Sequence, residues 1–418
     1  MTAVNRLAAS RREPSAARQI PYTAHVSDSL VRTQAGDYVQ VFRLGGASFE
    51  SADDDELNNW HERLNVTWRN IASPNVALWA HVLRRRERTA PGATIGSGFA
   101  ATLARKYRER LAGETLMVNE LYLSVVYRPV TGATTGAAAK LLSRTARGGE
   151  NAGLADAIEV CEKLGQAIAA SLARYEPECL NVYNADGRCY SRLLEFFGVL
   201  VNGEWQAISL PRAPLNEVLA TTRPLFGSEV IEYRLPSETR LGAFLGIKEY
   251  PTPTSVGMYN TLLSAPFEFV LAQSFSFLTK GTAQGLLQRQ YNRMANAGDF
   301  AISQAEELKE ALDALTANEF VMGDHHFTLQ VLTPTTEARS DTGTSLLKCL
   351  NDDVALARTM LADCGMAVAR EDLALEAAFW AQLPGCFSLR SRKAPISSRN
   401  FAAMVPFHNY PVGRATGN

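Results

Sequence analysis

The sequence predicts an α+β protein in which two mixed, largely antiparallel sheet-and-helix units are joined by a helical segment. Runs of alternating apolar and polar residues, typical of strands, recur in both halves of the chain. Stripes of apolar residues at spacings of three and four, typical of helices, separate these runs. The 418 residues, 46% of them hydrophobic, are enough for sizeable cores, and the length favours two or three domains.

Residues 20–150 are predicted to form the first α+β unit. Two alternating runs flank Ala35-Gly36-Asp37, a pattern that predicts a β-hairpin. Strands are then expected at 75–86 and 116–129, and residues 130–150 are expected to form a long loop or hairpin tip. Two helices are expected between the strands, on one face of the sheet, with these stripes: Leu57, Trp60, Leu64, Trp68 and Ile71; Phe99, Leu103, Tyr107 and Leu111.

Residues 151–210 are predicted to be a helical connector, and residues 211–400 the second α+β unit. The connector has an apolar stripe along 151–174 and a shorter helix at 191–201. In the second unit, Ser303 and Glu306 have the spacing of a capping box and predict the start of a helix. Further strands are expected at 230–235, 241–250, 267–278, 326–332 and 366–371, and further helices up to 293 and at 345–364.

The two ends of the chain have distinctive compositions. Residues 1–19 carry Arg6, Arg11, Arg12 and Arg18 with no apolar block behind them, which predicts a mobile basic arm and excludes a secretory signal. The longest apolar stretch, 193–201, is far below the roughly 20 residues of a membrane span. We therefore expect a cytoplasmic protein, or one peripheral to a membrane through a partner.

The overall charge and the cysteines exclude several classes of function. Lys and Arg number 42 against 43 acidic residues, so a global attraction to nucleic acid or anionic lipid is absent, although local patches stay possible. No cysteine forms a C-x-x-C pair or lies at a ligand-like spacing from a histidine. We expect small apolar fillers in a reduced compartment at Cys161, Cys179, Cys189, Cys349, Cys364 and Cys386.

His325 and His326 are the most tempting candidates for a metal or catalytic site. Neighbours on a strand point to opposite faces, so His325 shares a face with Phe327 while His326 shares the other with Thr328. The two imidazoles diverge, which favours ordinary histidines at a strand edge over a metal site. The other histidines, His25, His61, His81 and His408, are isolated in the sequence.

A search for a phosphate-binding loop finds no match. A P-loop needs Gly-Lys followed by Ser or Thr, because backbone N–H groups wrap the phosphates and the lysine reaches them. The chain contains no Gly-Lys dipeptide. Three Gly-rich segments lack the required ending: 132–140, 280–285 and 413–418.

Two further clusters have a functional and a structural interpretation. The basic run Leu83–Arg88 could meet lipid headgroups or DNA phosphates, but we favour the solvated end of a strand whose arginine stems cover apolar surface. Trp60, Trp68 and Trp79 are most simply core between the first helix and its sheet, with a partner-docking face as the alternative.

Four longer phrases give the sequence a specific resemblance. They are "IPYTAHVSDSLVRTQAGDYVQVFRLGGASFESADDDELN" from residue 20, "SPNVALWAHVLRRRE" from 73, "MVNELYLSVVYRP" from 117 and "DFAISQAEELKEALDALTANEFVMGDHHFTLQV" from 299. In this order they resemble the CagE/TrbE/VirB family, the cytoplasmic ATPases of type IV secretion and conjugation machines, of the VirB-four type. The resemblance runs from about residue 20 to the end of the chain.

The resemblance implies that this chain corresponds to the N-terminal part of such an ATPase. The family's RecA-like motor domain, which binds ATP and Mg, would lie outside these residues, and 401–418 would be a linker toward it. No catalytic, cofactor-binding or metal-binding residue can be carried over, because no position matches the motor's motifs. We therefore expect this chain by itself to hydrolyse no ATP and to hold no stable small-molecule ligand.

The function that the resemblance implies is docking and assembly. The module would anchor the ATPase to inner-membrane secretion subunits and to other copies of itself, as dimers or hexamers. Pilus biogenesis and transfer of DNA or protein would be energised by the motor. Two alternatives stay open at this point: a DNA-handling module that contacts a transferred single strand through Arg84–Arg88, and a non-catalytic structural paralogue that ends at Asn418.

Overall fold

The computed structural model describes residues 15–87, 98–112, 116–129, 147–235, 238–295, 302–334, 336–337 and 343–411. The strands are β1 (Tyr22–Ser27), β2 (Leu30–Thr33), β3 (Tyr38–Leu44), β4 (Val76–Glu87), β5 (Leu116–Tyr127), β6 (Pro177–Cys179), β7 (Val182–Ala185), β8 (Arg188–Ser191), β9 (Arg223–Phe226), β10 (Ile231–Arg234), β11 (Glu238–Glu249), β12 (Glu268–Phe277), β13 (Met322–Leu332), β14 (Thr336–Glu337), β15 (Ala367–Arg370) and β16 (Ala394–Ser397). The predicted arm up to residue 14 and the predicted loop up to residue 146 lie outside the described residues.

Helices occur in both halves of the chain. They are α1 (Asp54–Asn70), α2 (Phe99–Ala112), α3 (Arg147–Ser171), α4 (Arg192–Asn202), α5 (Leu215–Val218), α6 (Lys280–Ala295), α7 (Ile302–Thr316), α8 (Gly343–Asp363), α9 (Leu375–Ala381) and α10 (Ser398–Met404). The paired strands run antiparallel, for example β3 with β5 and β12 with β13. The predicted α+β class with largely antiparallel pairing is confirmed.

Local sequence signals account for the starts and turns of several elements. Gly36 adopts a φ of 89° in the hairpin between β2 and β3, a left-handed conformation that glycine adopts without a steric penalty. Asp53 caps α1 by accepting a hydrogen bond from the Glu56 N–H at 2.8 Å. Helix α7 begins within one residue of the predicted capping box, and the capping side chain of Ser303 lies outside the described side chains.

One sheet contains strands from both predicted units. Its order is β1-β2-β3-β5-β4-β12-β13-β11-β10-β9; in addition β6 pairs with β3, β14 and β15 pair with β11, and β16 pairs with β13. The junction is the pairing of β4 with β12, in which Ala77 lies opposite Ser276 and Arg84 opposite Phe269. Because two long strands with exposed edges would leave rows of N–H and C=O groups unpaired, this junction satisfies both edges at once. The domain limits stay a prediction.

Helices cover both faces of the sheet, which corrects the expectation of helices on one face. Trp60, Trp68 and Leu350 belong to a core on one face, whereas Phe196 and Phe379 belong to a core on the other. The reason lies in the central strands, whose residues are buried at nearly every position rather than at every second one. Strands that are apolar on both sides need cover on both sides.

The predicted helical connector at 151–210 contains strands as well as helices. Strand β6 pairs with β3, and β7 pairs with β8 in a separate hairpin. Nine of the eleven residues of α4 are buried, including both of its phenylalanines, Phe196 and Phe197. This region is therefore part of the core, because α4 has no polar face wide enough for solvent.

The segment predicted as a linker, 401–418, is packed against the body as far as the structure describes it. Phe401 and Phe407 are buried in the first core. Ala47 forms a bridge with His408, and the Asn409 side chain donates to the Gly45 carbonyl at 3.0 Å. The segment contains large apolar side chains between its turn-forming residues. The burial of these apolar side chains holds the segment against the sheet.

Candidate functional site

A wide groove on the described surface lies between α1, the α6–α7 hairpin and the β16–α10 segment. Its volume is about 1390 Å³. The apolar part of its lining comes from Leu57, Val256, Leu287, Ala311, Ala314, Ala317, Phe320, Met322, Pro395, Ile396 and Ala403. An apolar floor of this length, open to solvent along one side, is the kind of surface that receives a segment of another protein.

Polar contacts between distant parts of the chain hold the walls of the groove together. The Asn65 side chain of α1 donates to the Glu319 carbonyl at 3.0 Å and accepts from the Ser398 hydroxyl at 2.6 Å. The His61 imidazole donates to the Arg399 carbonyl at 2.8 Å. These contacts tie α1, the end of α7 and the start of α10 into one unit, so the groove is built into the fold.

Carboxylates surround the apolar floor. The acidic residues of the lining are Asp54, Glu307, Glu310, Asp313 and Glu319. Arg399 is the single lysine or arginine in the same lining. Arg399 is paired with Glu319 at 3.1 Å. No ion pair joins the other four carboxylates to a cation anywhere in the described ranges. The groove therefore presents net negative charge around an apolar strip, which favours a basic, amphipathic ligand.

The sequence analysis did not single out these carboxylates. Glu307, Glu310 and Asp313 follow one another at three-residue intervals, so they lie along one side of α7. Ala311 and Ala314 lie next to this row and belong to the floor. Small apolar residues beside a row of like charges could have indicated a binding surface on α7. The sequence did not reveal the groove, because its opposite wall comes from residues far away in the chain.

His325 and His326 lie inside the sheet, which corrects their assignment to a strand edge. Strand β13 is paired on both sides at His325, with Phe275 of β12 and Ala394 of β16. His325 is fully buried and lies within hydrogen-bond distance of the Tyr250 hydroxyl (2.9 Å) and the Gln273 amide oxygen (3.2 Å). The divergence of the two side chains follows from strand alternation, as expected.

No metal site is found around the histidines or cysteines in the part of the chain that the structure describes. Groups of three or more His, Cys, Asp or Glu side chains in a ligand-like arrangement do not occur there. The six cysteines are free thiols, with Cys161 and Cys386 buried and the others half-buried. Burial raises the pKa of the Cys161 and Cys386 thiols to about 12, so both are poor nucleophiles at neutral pH.

Four buried histidines make the stability of the protein dependent on pH. Burial lowers the pKa values of His81 and His408 to about 4 and those of His325 and His326 to about 3, from 6.5. His81 donates from Nε2 to the Gln382 carbonyl at 2.8 Å, and its buried Nδ1 has no partner among the described groups. A proton added at Nδ1 would therefore be buried without an acceptor.

We expect the free energy of unfolding to fall as the pH drops from about 6.5 towards 4. In this window the unfolded histidines bind protons and the folded ones do not, so stability is fully present above the window and is lost below it. His81→Gln should flatten the slope by up to about 1.4 kcal/mol per pH unit. Urea unfolding across this pH range measures the slope; equal slopes for the variant and wild type would contradict the assignment.

The basic run Leu83–Arg88 is not a free phosphate-binding surface, nor a solvated strand end throughout. Arg84 is buried, and its guanidinium donates to the Leu263 and Ala265 carbonyls at 2.5 and 2.6 Å. Arg85 pairs with Glu87 at 2.5 Å and with Glu120 at 3.0 Å. Both arginines are engaged within the fold, whereas Arg86 is exposed and Arg88 lies outside the described residues, so the DNA-handling alternative stays untested.

The three tryptophans divide between the two faces of the sheet. Trp60 and Trp68 pack between α1 and the sheet, as expected. Trp79 belongs to the core on the opposite face, where its indole N–H donates to the Ala381 carbonyl at 3.2 Å. The expectation of a single tryptophan core is wrong for Trp79, because odd and even positions of a strand face opposite sides.

The Gly-rich segments give no phosphate cradle in the described ranges. Segments 132–140 and 413–418 lie outside them. Lys280, in the third segment, donates to the Thr316 carbonyl at 2.9 Å and to the Asn318 side chain at 2.8 Å, where the start of α6 meets the end of α7. Among the described helices, none combines the length and the apolar character that a membrane span requires.

The fold and its acidic groove thus define an α+β protein whose most developed surface feature suits the binding of another polypeptide. Comparison with known families identifies the family. Residues 178–392 match the CagE, TrbE, VirB family, described as a component of type IV transporter systems. Residues 29–134 match the N-terminal domain of the type IV secretion system ATPase VirB4/TrbE. The chain belongs to the CagE, TrbE, VirB family.

Curated relatives support the same assignment along nearly the whole chain. The type IV secretion system protein virB4 of Bartonella quintana is 40% identical over 409 residues, which cover 98% of this chain and 51% of the relative. PtlC of Bordetella pertussis is 36% identical, with coverage of 98% and 49%. VirB4 of Brucella suis is also 36% identical, with coverage of 97% and 48%. The chain spans about half the length of the curated relatives it matches.

Proposed function

We propose that this chain is a docking module that positions a type IV secretion ATPase by binding a basic, amphipathic segment of another secretion subunit in the acidic groove. The single observation that carries the proposal is the pairing of an apolar floor with four carboxylates that lack an ion pair within the described residues. The family assignment supplies the context of a secretion machine.

The chemistry of the groove explains how such docking works. The apolar floor gains free energy when a partner's apolar side chains leave water there. The carboxylates at Asp54, Glu307 and Glu310 attract Lys and Arg side chains on the flanks of the segment, which raises the association rate and rejects acidic segments. Burial then supplies affinity, and charge supplies selectivity.

The motor activity is assigned to a separate part of the machine in this proposal. A P-loop domain outside Met1–Asn418 would bind ATP and Mg, since these residues contain no Gly-Lys dipeptide. The docking module would hold that motor at the cytoplasmic face of the inner membrane, next to the subunits that assemble a pilus or transfer DNA or protein. Self-association into dimers or hexamers stays a prediction.

Charge reversal on α7 tests the proposal in the bacterium. Glu310→Lys, in the groove, should lower co-purification of the full-length protein with inner-membrane secretion subunits by about tenfold, because it places a cation opposite the basic segment. Glu162→Lys is the control, since it makes the same charge change at an exposed position of α3, outside the groove lining. Equal behaviour of the two variants would contradict the proposal.

A photo-crosslinking amino acid gives an independent measurement. Asn58 of α1 lines the groove, and its exposed neighbour Asn59 does not. We expect a crosslinker at position 58 to capture a secretion subunit through a Lys- or Arg-rich peptide, and one at position 59 to capture none. If the crosslinker at position 58 captures only acidic peptides, or captures nothing, the proposal of a basic ligand is wrong.

A further inference from the structure

Helix α2 exposes an apolar stripe to solvent. Phe99, Leu103 and Tyr107 are 83%, 57% and 62% exposed. They recur every four residues, so at about 100° per residue they form one line along a helix of 14 residues. Isolated exposed apolar residues are common, but three large ones in one line on a helix mark a surface that is covered in use.

The partly buried positions of α2 lie beside this stripe rather than within it. Ala101, Ala104, Arg108 and Leu111 are half-buried and, on the same helical geometry, lie to one side of the exposed line. The exposed line and the half-buried positions therefore occupy different sides of the helix.

The charges of α2 are strongly basic in a chain whose formal net charge is −1. Between Phe99 and Ala112 the helix carries four basic residues and one acidic residue, and the acid, Glu109, is paired with Arg105 at 3.3 Å. By helical geometry, Lys106 and Arg110 lie along one margin of the stripe, while Arg105 and Glu109 lie away from it. Long basic side chains at the margin of an apolar line suit a surface with anionic headgroups above an apolar layer.

We infer that α2 lies flat on an anionic phospholipid surface, with Phe99, Leu103 and Tyr107 inserted at the headgroup boundary and Lys106 and Arg110 on the phosphates. Net positive charge against anionic lipid supplies the complementarity, and the three apolar side chains supply the insertion. A helix of 14 residues is too short to span a bilayer, so it lies in the interface. This contact is direct, and it is independent of the protein ligand proposed for the acidic groove.

Vesicle sedimentation of the full chain tests the inference. Wild-type protein should co-sediment with phosphatidylglycerol vesicles and not with phosphatidylcholine vesicles, and salt should weaken the binding. The triple variant Phe99→Ser, Leu103→Ser, Tyr107→Ser should bind more than about tenfold less. Leu373→Ser is the control, because Leu373 is a fully exposed apolar residue elsewhere on the surface; it should bind as wild type.

Two charge-reversal variants of α2 distinguish a basic residue at the margin of the stripe from a basic residue elsewhere on the helix. Lys106→Glu should weaken binding by about tenfold, whereas Arg105→Glu, with the same charge change away from the stripe, should have a smaller effect. Phe99→Trp should show a blue shift of its emission on phosphatidylglycerol vesicles. The altered side chains are exposed, so unchanged thermal unfolding of each variant verifies that it folds.

Two results would overturn the inference. One is vesicle binding by the triple serine variant equal to that of wild type. The other combines two observations: wild-type protein forms a dimer in solution and binds no vesicles, and the triple variant is monomeric. The stripe would then be covered by a second copy of the chain. Failure of the groove variants to alter partner binding would leave the vesicle result unchanged, so the two proposals fail separately.

Discussion

Arg240→Ala is expected to lower the free energy of unfolding by about 3–5 kcal/mol. The Arg240 guanidinium is buried and forms an ion pair with the buried Glu268 carboxylate. It also donates to the Thr333 carbonyl at 2.8 Å and to the Gly203 carbonyl at 2.6 Å. Removal of the cation leaves a buried carboxylate without its counterion and two carbonyls without donors, and both effects destabilise the folded state.

The position of Arg240 explains why its effect is large. Arg240 is on β11 and Glu268 on β12, and β13 lies between these strands. Gly203 ends α4, so one side chain joins two strands that do not pair and a helix on one face of the sheet. These partners are far apart in the chain, and the guanidinium joins the second predicted unit to the end of the predicted connector.

Urea unfolding at neutral pH measures this effect, and Arg234→Ala is the matched control. Arg234 lies on the neighbouring strand β10 and pairs with Glu232 at 2.9 Å, but its side chain is 65% exposed. Water screens such a pair, so its loss should change stability by less than about 0.5–1 kcal/mol. A double variant Arg240→Met, Glu268→Gln should recover part of the loss, because no unpaired charge is then buried. Equal losses for Arg240→Ala and Arg234→Ala would contradict the assignment.

Phe401→Ala is expected to destabilise the protein by about 3–5 kcal/mol. Phe401 is fully buried, and its ring stacks on Phe275 with centroids 4.6 Å apart. The Trp68 ring lies at 5.8 Å and the His325 ring at 6.0 Å. Truncation to alanine removes apolar contacts with all three rings and leaves a cavity that rigid aromatic neighbours fill poorly.

The same experiment decides whether residues near 401 behave as linker or as core. Leu373→Ala is the control, because Leu373 is fully exposed and its truncation should change stability by less than about 0.5 kcal/mol. A midpoint shift in urea unfolding for Phe401→Ala, at an unchanged m value, indicates loss of native packing. A loss below about 1 kcal/mol would support the linker prediction for this residue instead.

Much of the local structure could be predicted from the sequence. The hairpin at Gly36, the start of α1 at Asp53 and the strands around Val76 and Leu116 depend on patterns a few residues long. The family could also be predicted from the sequence, because long phrases in a fixed order identify relatives even where no short motif exists.

The candidate site was harder to predict than the elements that build it. Glu307 and Asp313 look like the solvated side of a helix until α1 and α10 are placed opposite them. Arg84 looks like an exposed basic residue until the Leu263 and Ala265 carbonyls are brought to its guanidinium. In each case the partner is far away in sequence, and residue type alone does not specify which distant group it meets.

The sequence by itself determined the α+β class, most helices and strands, and membership of a secretion ATPase family, because hydrophobic periodicity, caps and extended sequence similarity are properties of the chain. Only the tertiary structure decided that β4 pairs with β12, that helices cover both faces and that residues 401–410 are packed. The physical reason is that edge pairing, burial and charge proximity arise between segments far apart in the chain. Their free energies depend on distances that exist only after folding.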